Sequence, residues 1–122
     1  FMQEFITFAK GMADEAGHII RQYFRQPFDI ETKADDSPVT IADRAVEQRL
    51  REMLEKHRPD DGIFGEEFDR KPSKNGLTWV IDPIDGTKSF MIGRPTFGTL
   101  IALWEDNKPL LGIIDQAISG ER

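Results

Sequence analysis

Apolar residues in the first half of the chain recur every three or four positions. One run covers residues 2–25, and a second covers residues 39–57. This spacing matches the 3.6-residue period of a helix and predicts two amphipathic helices. Pro27 is expected to end the first helix, and Pro59 with the acidic turn after it is expected to close the second. The apolar stripes comprise Phe5, Phe8, Met12, Ala16, Ile19, Ile20 and Tyr23 in the first helix and Ala42, Val46, Leu50, Met53 and Leu54 in the second.

The period changes after Gly62, where short apolar runs alternate with turn residues. The runs fall at 63–64, 78–81, 96–104 and 110–114, and the sequences Asn75-Gly76 and 105–107 lie between them as turn or hairpin connections. Two helices followed by a series of strands predict an α+β fold, in which the two N-terminal helices pack on one face of a mostly antiparallel sheet.

Composition narrows the chemistry that this fold can carry. The chain has 122 residues, enough for one domain, and its charges sum to 16 − 22 = −6, which disfavours a nucleic-acid partner. Cysteine is absent, so disulfides and thiol nucleophiles are excluded. No apolar run approaches the roughly 20 residues of a membrane span, and no signal peptide is recognised, so we expect a cytoplasmic protein. His18 and His57 lie apart on the helices without metal-ligand spacing, and oxygen ligands must therefore supply any metal site.

The first candidate site is the hexapeptide Asp-Pro-Ile-Asp-Gly-Thr at 82–87, which follows the strand formers at 79–81. Pro83 fixes φ and predicts an immediate turn after Asp82. Asp82 and Asp85 can then face one pocket with the Ile84 carbonyl between them, an oxygen set suited to a hard divalent cation. Gly86 allows close backbone approach, and its amide and that of Thr87 could receive a phosphate. The alternative is an ordinary Asp-Pro turn with an Asp helix cap.

Two further acidic segments could join this pocket. Glu66 and Glu67 follow a short strand, and adjacent strand residues point to opposite faces, so we assign Glu66 to the metal and Glu67 to an outer or substrate-side position. Thr40 and Asp43 have the spacing of a helix capping box, but Asp43 could instead face the pocket and orient a water. Lys33 could neutralise phosphate charge or could be an ordinary solvated lysine.

Three segments together resemble the inositol monophosphatase superfamily of metal-dependent phosphatases: residues 37–43, 65–67 and 79–87. The resemblance covers essentially the whole chain but only the first half of a family member. It implies the first half of a layered αβαβα fold, completed by a C-terminal subdomain that brings another metal-binding aspartate. Segments 86–90, 93–95 and 97–103 look most like the histidinol-phosphate phosphatase branch, which acts in histidine biosynthesis, because Lys88-Ser89 stands where inositol enzymes have Thr-Asn.

The resemblance also implies a mechanism. Glu66, Asp82 and the Ile84 carbonyl would hold one Mg²⁺, and Asp82 with Asp85 would share a second with the aspartate of the other subdomain. Two such cations can clamp a phosphate and activate a water.

Family likeness further implies that Glu66, or Asp43 together with Thr87, positions that water, and that the full-length protein is a homodimer acting on a small phosphorylated metabolite. Alternatives are an inositol monophosphatase, a 3′(2′),5′-bisphosphate nucleotidase of the same family, or a non-catalytic metal- and phosphate-binding module. Because the last aspartate is lacking, we expect residues 1–122 alone to be inactive.

Overall fold

The computed structural model describes residues 2–24, 38–86 and 97–122. Both expected helices are present: α1 spans Met2–Tyr23 and α2 spans Pro38–His57. Four strands follow, and each coincides with one of the apolar runs: β1 at Gly62–Gly65, β2 at Leu77–Asp85, β3 at Gly98–Glu105 and β4 at Lys108–Asp115. Pro27 lies outside the described residues, as does the start of the run predicted at 96–104.

The strands form one sheet in the order β1-β2-β3-β4. Strands β2, β3 and β4 pair antiparallel, as expected, whereas β1 and β2 pair parallel, so the sheet is mixed. The connection between β1 and β2 first runs back along β1, with an antiparallel bridge between Ile63 and Lys71. It reverses again at Asn75-Gly76, where Gly76 has φ of +88°. The second reversal restores the original direction and makes the pairing parallel.

The helices cover one face of this sheet. Helix α2 packs on β2, and α1 packs on α2, β3 and β4. Trp79 is completely buried between the layers and meets the Phe8 ring edge-on at 5.8 Å, whereas Trp104 is half-buried. His18 and His57 are exposed, as expected for helix-surface residues. The largest fully buried side chains are Trp79, Met12, Ile20, Leu50, Leu54, Ile63, Ile81, Ile101 and Leu103.

Asp61 connects the end of α2 to the start of β2. Its carboxylate accepts hydrogen bonds from Arg58 Nε (2.8 Å) and Nη2 (3.1 Å), Asn75 Nδ2 (2.8 Å) and Trp79 Nε1 (2.9 Å). Burial raises the pKa of Asp61, but these hydrogen bonds outweigh burial and hold the pKa below its ordinary value. The buried indole N–H of Trp79 donates its hydrogen bond to this carboxylate. Asp61 therefore fixes the orientation of the ring that fills the core.

The opposite face of the sheet is open at Phe64 and Ile114, which are 47% and 70% exposed. Within the described residues, no helix is long and apolar enough to cross a membrane.

Candidate metal and phosphate site

Strand β2 carries the two aspartates of the hexapeptide and does not end where the sequence suggested. The expected turn directly after Asp82 is wrong, because the strand continues through Pro83 to Asp85. The register with β3 is interrupted between Asp82, opposite Leu100, and Asp85, opposite Gly98. An irregularity of this kind removes a position from the hydrogen-bonded ladder, which is where a strand tolerates a proline that has no N–H.

A buried hydrogen bond fixes this irregularity. Thr99 Oγ1 donates to the Pro83 carbonyl at 2.8 Å, and the Thr99 side chain is 1% exposed. Residues three apart in a regular strand point to opposite faces, but the interruption breaks that alternation. Asp82 is half-buried and Asp85 is exposed, yet the Asp85 charge helps to raise the pKa of Asp82. The two carboxylates therefore lie close enough to repel each other.

The surroundings of Asp82 disfavour the ionised form of its carboxyl group. Burial, followed by the charges of Glu66, Asp85 and Glu67, raises the pKa of Asp82 to about 6. All of these contributions disfavour the charged form, and none of them comes from a cation. A cation placed beside this carboxylate would therefore stabilise its ionised form.

Asp43 projects from α2 into the same acidic cluster. It is 7% exposed, and burial together with the charges of Glu67, Asp82 and Glu66 raises its pKa to about 7. The Ile84 backbone N–H donates to this carboxyl group and opposes the shift. The other oxygen, Oδ1, is buried and has no hydrogen-bond partner among the described residues. Helix α2 begins at Pro38, so Thr40 is its third residue and the capping-box interpretation of Thr40 with Asp43 is wrong.

Glu66 and Glu67 lie just beyond β1, which ends at Gly65. Strand alternation therefore does not govern them, and both raise the pKa values of Asp43 and Asp82. Glu66 is exposed and is the strongest charged neighbour of Asp82, while the half-buried Glu67 is the strongest charged neighbour of Asp43. The structure thus brings both glutamates to the cluster.

Glu47, one helical turn after Asp43, is a residue that the sequence reasoning missed. It is completely buried, and its carboxylate accepts hydrogen bonds from the backbone N–H groups of Glu67 (3.0 Å) and Phe68 (3.1 Å). Arg51 Nε donates to the same carboxylate at 3.0 Å. The available signal was a charge at spacing i, i+4 from Asp43, beside the apolar stripe of α2.

A cavity of about 590 Å³ opens beside the cluster on the exposed face of the sheet. Glu66 and Asp82 lie at its acidic side, and most of the remaining lining is apolar: Phe64, Val80, Ile81, Leu100, Ile101, Ala102, Gly112, Ile113 and Ile114.

The candidate phosphate-binding residues are only partly described. Gly86, directly after the end of β2, is exposed and has φ of +93°, a conformation that favours glycine. Thr87 and Lys33 both lie outside the described residues, as do Lys88 and Ser89.

The donor set fits a divalent cation in its chemistry. Asp43, Glu66, Asp82 and Asp85 offer only oxygen, two of them have raised pKa values, and Asp43 Oδ1 is buried without a partner. Within ranges 2–24, 38–86 and 97–122, no three acidic or histidine side chains form a group that could hold an ion as they stand. The charges of Glu66 and Glu67 act on both Asp43 and Asp82, and a cation beside these carboxylates would relieve their repulsion.

Comparison with known proteins gives the fold class first. A solved structure described as an inositol monophosphatase from Zymomonas mobilis matches with a TM-score of 0.83 and 53% identity, over 98% of this chain and 46% of that one. The fold is therefore that of the inositol monophosphatases. The model of the inositol monophosphatase family matches residues 2–122, and the chain belongs to this family.

Two curated relatives carry more particular names. The chloroplastic bifunctional phosphatase IMPL2 of Arabidopsis thaliana is 47% identical over 99% of this chain and 36% of its own length. The histidinol-phosphatase of Chlorobaculum parvum is 45% identical over 95% of this chain and 45% of its own length. The chain thus spans between a third and a half of the curated relatives that it matches.

Proposed function

We propose that the protein of which this chain forms the N-terminal half is a Mg²⁺-dependent hydrolase of phosphate monoesters. The observation that carries the proposal is the buried carboxylate of Asp43, whose unpartnered oxygen lies among the charges of Glu66, Glu67 and Asp82. Clusters of like charge with raised pKa values are maintained at functional sites, because folding alone would favour removing them. Family membership supports the phosphatase class.

Glu66, Asp82, Asp85 and the Ile84 carbonyl would hold the cations. When bound, divalent cations neutralise phosphate charge and make a water more acidic. Phosphoryl transfer depends mainly on positioning and on charge neutralisation. The chain has no cysteine, and the described side chains of the acidic cluster are carboxylates, which suits direct attack by water.

The protein's own proton acceptor would be Asp43. In the metal-free protein the pKa of Asp43 is about 7, and cations bound beside it would lower this pKa, so that near neutral pH the group is ionised and able to accept a proton. Its free Oδ1 can accept a hydrogen bond from the attacking water. Glu66 is the other candidate for this role, and Thr87 as the partner of Asp43 remains a prediction.

For the substrate we propose histidinol phosphate, which places the protein in histidine biosynthesis. The 45% identity to a histidinol-phosphatase and the sequence of residues 86–90 support this choice. The second candidate is an inositol monophosphate, which the 53% identity to the Zymomonas mobilis protein favours. A cytoplasmic location and a homodimer remain part of the proposal.

The test is phosphate release by the full-length protein with Mg²⁺, measured side by side on L-histidinol phosphate, inositol 1-phosphate and adenosine 3′,5′-bisphosphate. We expect the highest kcat/KM on histidinol phosphate. A higher value on either of the other two would reject the substrate and keep the phosphatase class. Mg²⁺ binding without hydrolysis of any of the three would instead favour a non-catalytic binding module.

A further inference from the structure

Glu47 ties the loop that carries the acidic pair to helix α2. Its two carboxylate oxygens accept the Glu67 and Phe68 amide protons separately, Oε1 from the first and Oε2 from the second. Arg51 binds the same carboxylate through Nε and also donates from Nη2 to the Phe68 carbonyl at 3.3 Å. Glu67 and Phe68 lie about twenty residues further along the chain than Glu47. Their two hydrogen bonds to Glu47 therefore form a tether between separate segments, the loop after β1 and helix α2.

Gly65 shows how closely the helix and the loop approach. A Cβ atom at this position would overlap the Glu47 carboxyl group, so a glycine is required where β1 passes over the helix. The contact therefore leaves the loop little freedom to move toward α2, while the two amide hydrogen bonds prevent it from moving away.

Helix α2 presents Asp43 and Glu47 one turn apart on the same face. Asp43 enters the acidic cluster directly, whereas Glu47 acts on it through the loop. One rigid helix thus sets the distance between Asp43 and the loop that carries Glu66.

We propose that Glu47 is a positioning residue, which fixes Glu66 relative to Asp82 and so sets the affinity of the site for Mg²⁺. This inference rests on the proposed metal-dependent function. Residues that hold metal ligands in place typically change metal affinity by about 10- to 100-fold when they are substituted. A merely structural role would lower stability and leave the metal affinity of the folded protein unchanged.

Glu47→Gln in the full-length protein is the direct test. The amide keeps the shape of the side chain but has one acceptor oxygen, so it cannot serve both backbone N–H groups and Arg51. Glu55→Gln is the matched control, because Glu55 lies on the same helix, is exposed, and contacts Lys71 Nζ at 2.7 Å. Both substitutions remove one negative charge, but only the first breaks the tether.

Two measurements are made on each variant. Hydrogen exchange of the metal-free protein reports the Glu67 and Phe68 amides, which we expect to exchange about tenfold faster in Glu47→Gln and unchanged in Glu55→Gln. Calorimetric titration with Mg²⁺ reports the Kd, which we expect to rise about tenfold or more in Glu47→Gln only.

Unchanged exchange at these two amides, or faster exchange with an unchanged Kd, would overturn the positioning role. If Glu47→Gln does not fold, Gly65→Ala displaces the same loop while retaining every polar group, and the same rise in Kd is expected. A wild-type protein that binds no Mg²⁺ would overturn the proposed function and this inference together, whereas wild-type binding with unaltered variants would overturn this inference alone.

Discussion

Replacing Asp43 by asparagine is expected to stabilise the metal-free protein while it impairs catalysis. The pKa of Asp43 in the fold, about 7, lies above its ordinary value of 3.8, so ionising this group costs the folded state free energy. The cost is absent below about pH 4, grows between pH 4 and pH 7, and is complete above pH 7. Asparagine never bears the charge, so the variant gains stability over the same pH range.

The size of the gain follows from the pKa difference. A difference of about three pH units corresponds to an upper limit of about 4 kcal/mol at about 1.36 kcal/mol per unit. Glu66, one of the charges that act on Asp43, is exposed, and solvent screening reduces its effect, so we expect about 2 kcal/mol at pH 8. The new amide N–H₂ would face neighbouring carboxylates and find acceptors there.

The assay is urea unfolding of the full-length protein after metal removal, at pH 4.5, 6 and 8, with the fluorescence of the buried Trp79 as one signal. The difference in unfolding free energy between variant and wild type should be small at pH 4.5 and largest at pH 8. Saturating Mg²⁺ should stabilise the wild type more than Asp43→Asn, because a cation relieves the same repulsion. A gain that does not depend on pH, or a loss of stability at pH 8, would refute this account of the cluster.

Three further outcomes are expected. Asp82→Asn should abolish hydrolysis in the full-length protein and leave its circular dichroism unchanged; near wild-type turnover at saturating Mg²⁺ would contradict the ligand assignment. Ca²⁺ should bind to the wild type but support little turnover, measured by phosphate release, because its coordination is looser than that of Mg²⁺. Asp61→Ala should lower the unfolding free energy by about 3 kcal/mol at pH 7, because it leaves the buried Trp79 indole N–H and the Arg58 guanidinium without their acceptor. Since the pKa of Asp61 is lowered in the fold, urea titrations should show this difference shrinking as the pH falls below about 4, and a constant difference would contradict it.

Most of the secondary structure could be predicted because each element has a strong period of its own. The helical stripes located α1 and α2, and the apolar runs between turn residues located the four strands found in the described part of the chain. Strand direction was not predictable in the same way. The apolar pattern of β1 is compatible with both parallel and antiparallel pairing. The parallel direction results from two reversals of the chain between β1 and β2, the first of which forms the bridge of Ile63 with Lys71.

The parts of the site whose residues are close together in the sequence could be predicted. The contacts between residues that are far apart in the sequence could not. Asp82 and Asp85 were found by their spacing. The turn predicted between them was wrong, because the sheet accommodates Pro83 through a break in the β2–β3 register. The role of Glu47 was not predicted because its partners include backbone N–H groups of a distant segment. Backbone groups are present at nearly every residue, so no side-chain type in the sequence indicates this contact.

The packing of α1 has a consequence for synthesis on the ribosome. This first helix buries its apolar face partly against β3 and β4, which are translated long after it. At about 5–20 residues per second, the roughly 90 residues between the end of α1 and the end of β4 take roughly 5–18 s to emerge. Within that interval α2 emerges first, so the helix can pack on α2 before β3 and β4 complete its partner surface. A nascent chain arrested before β4 should therefore bind chaperones through residues 2–23 and release them once the sheet closes.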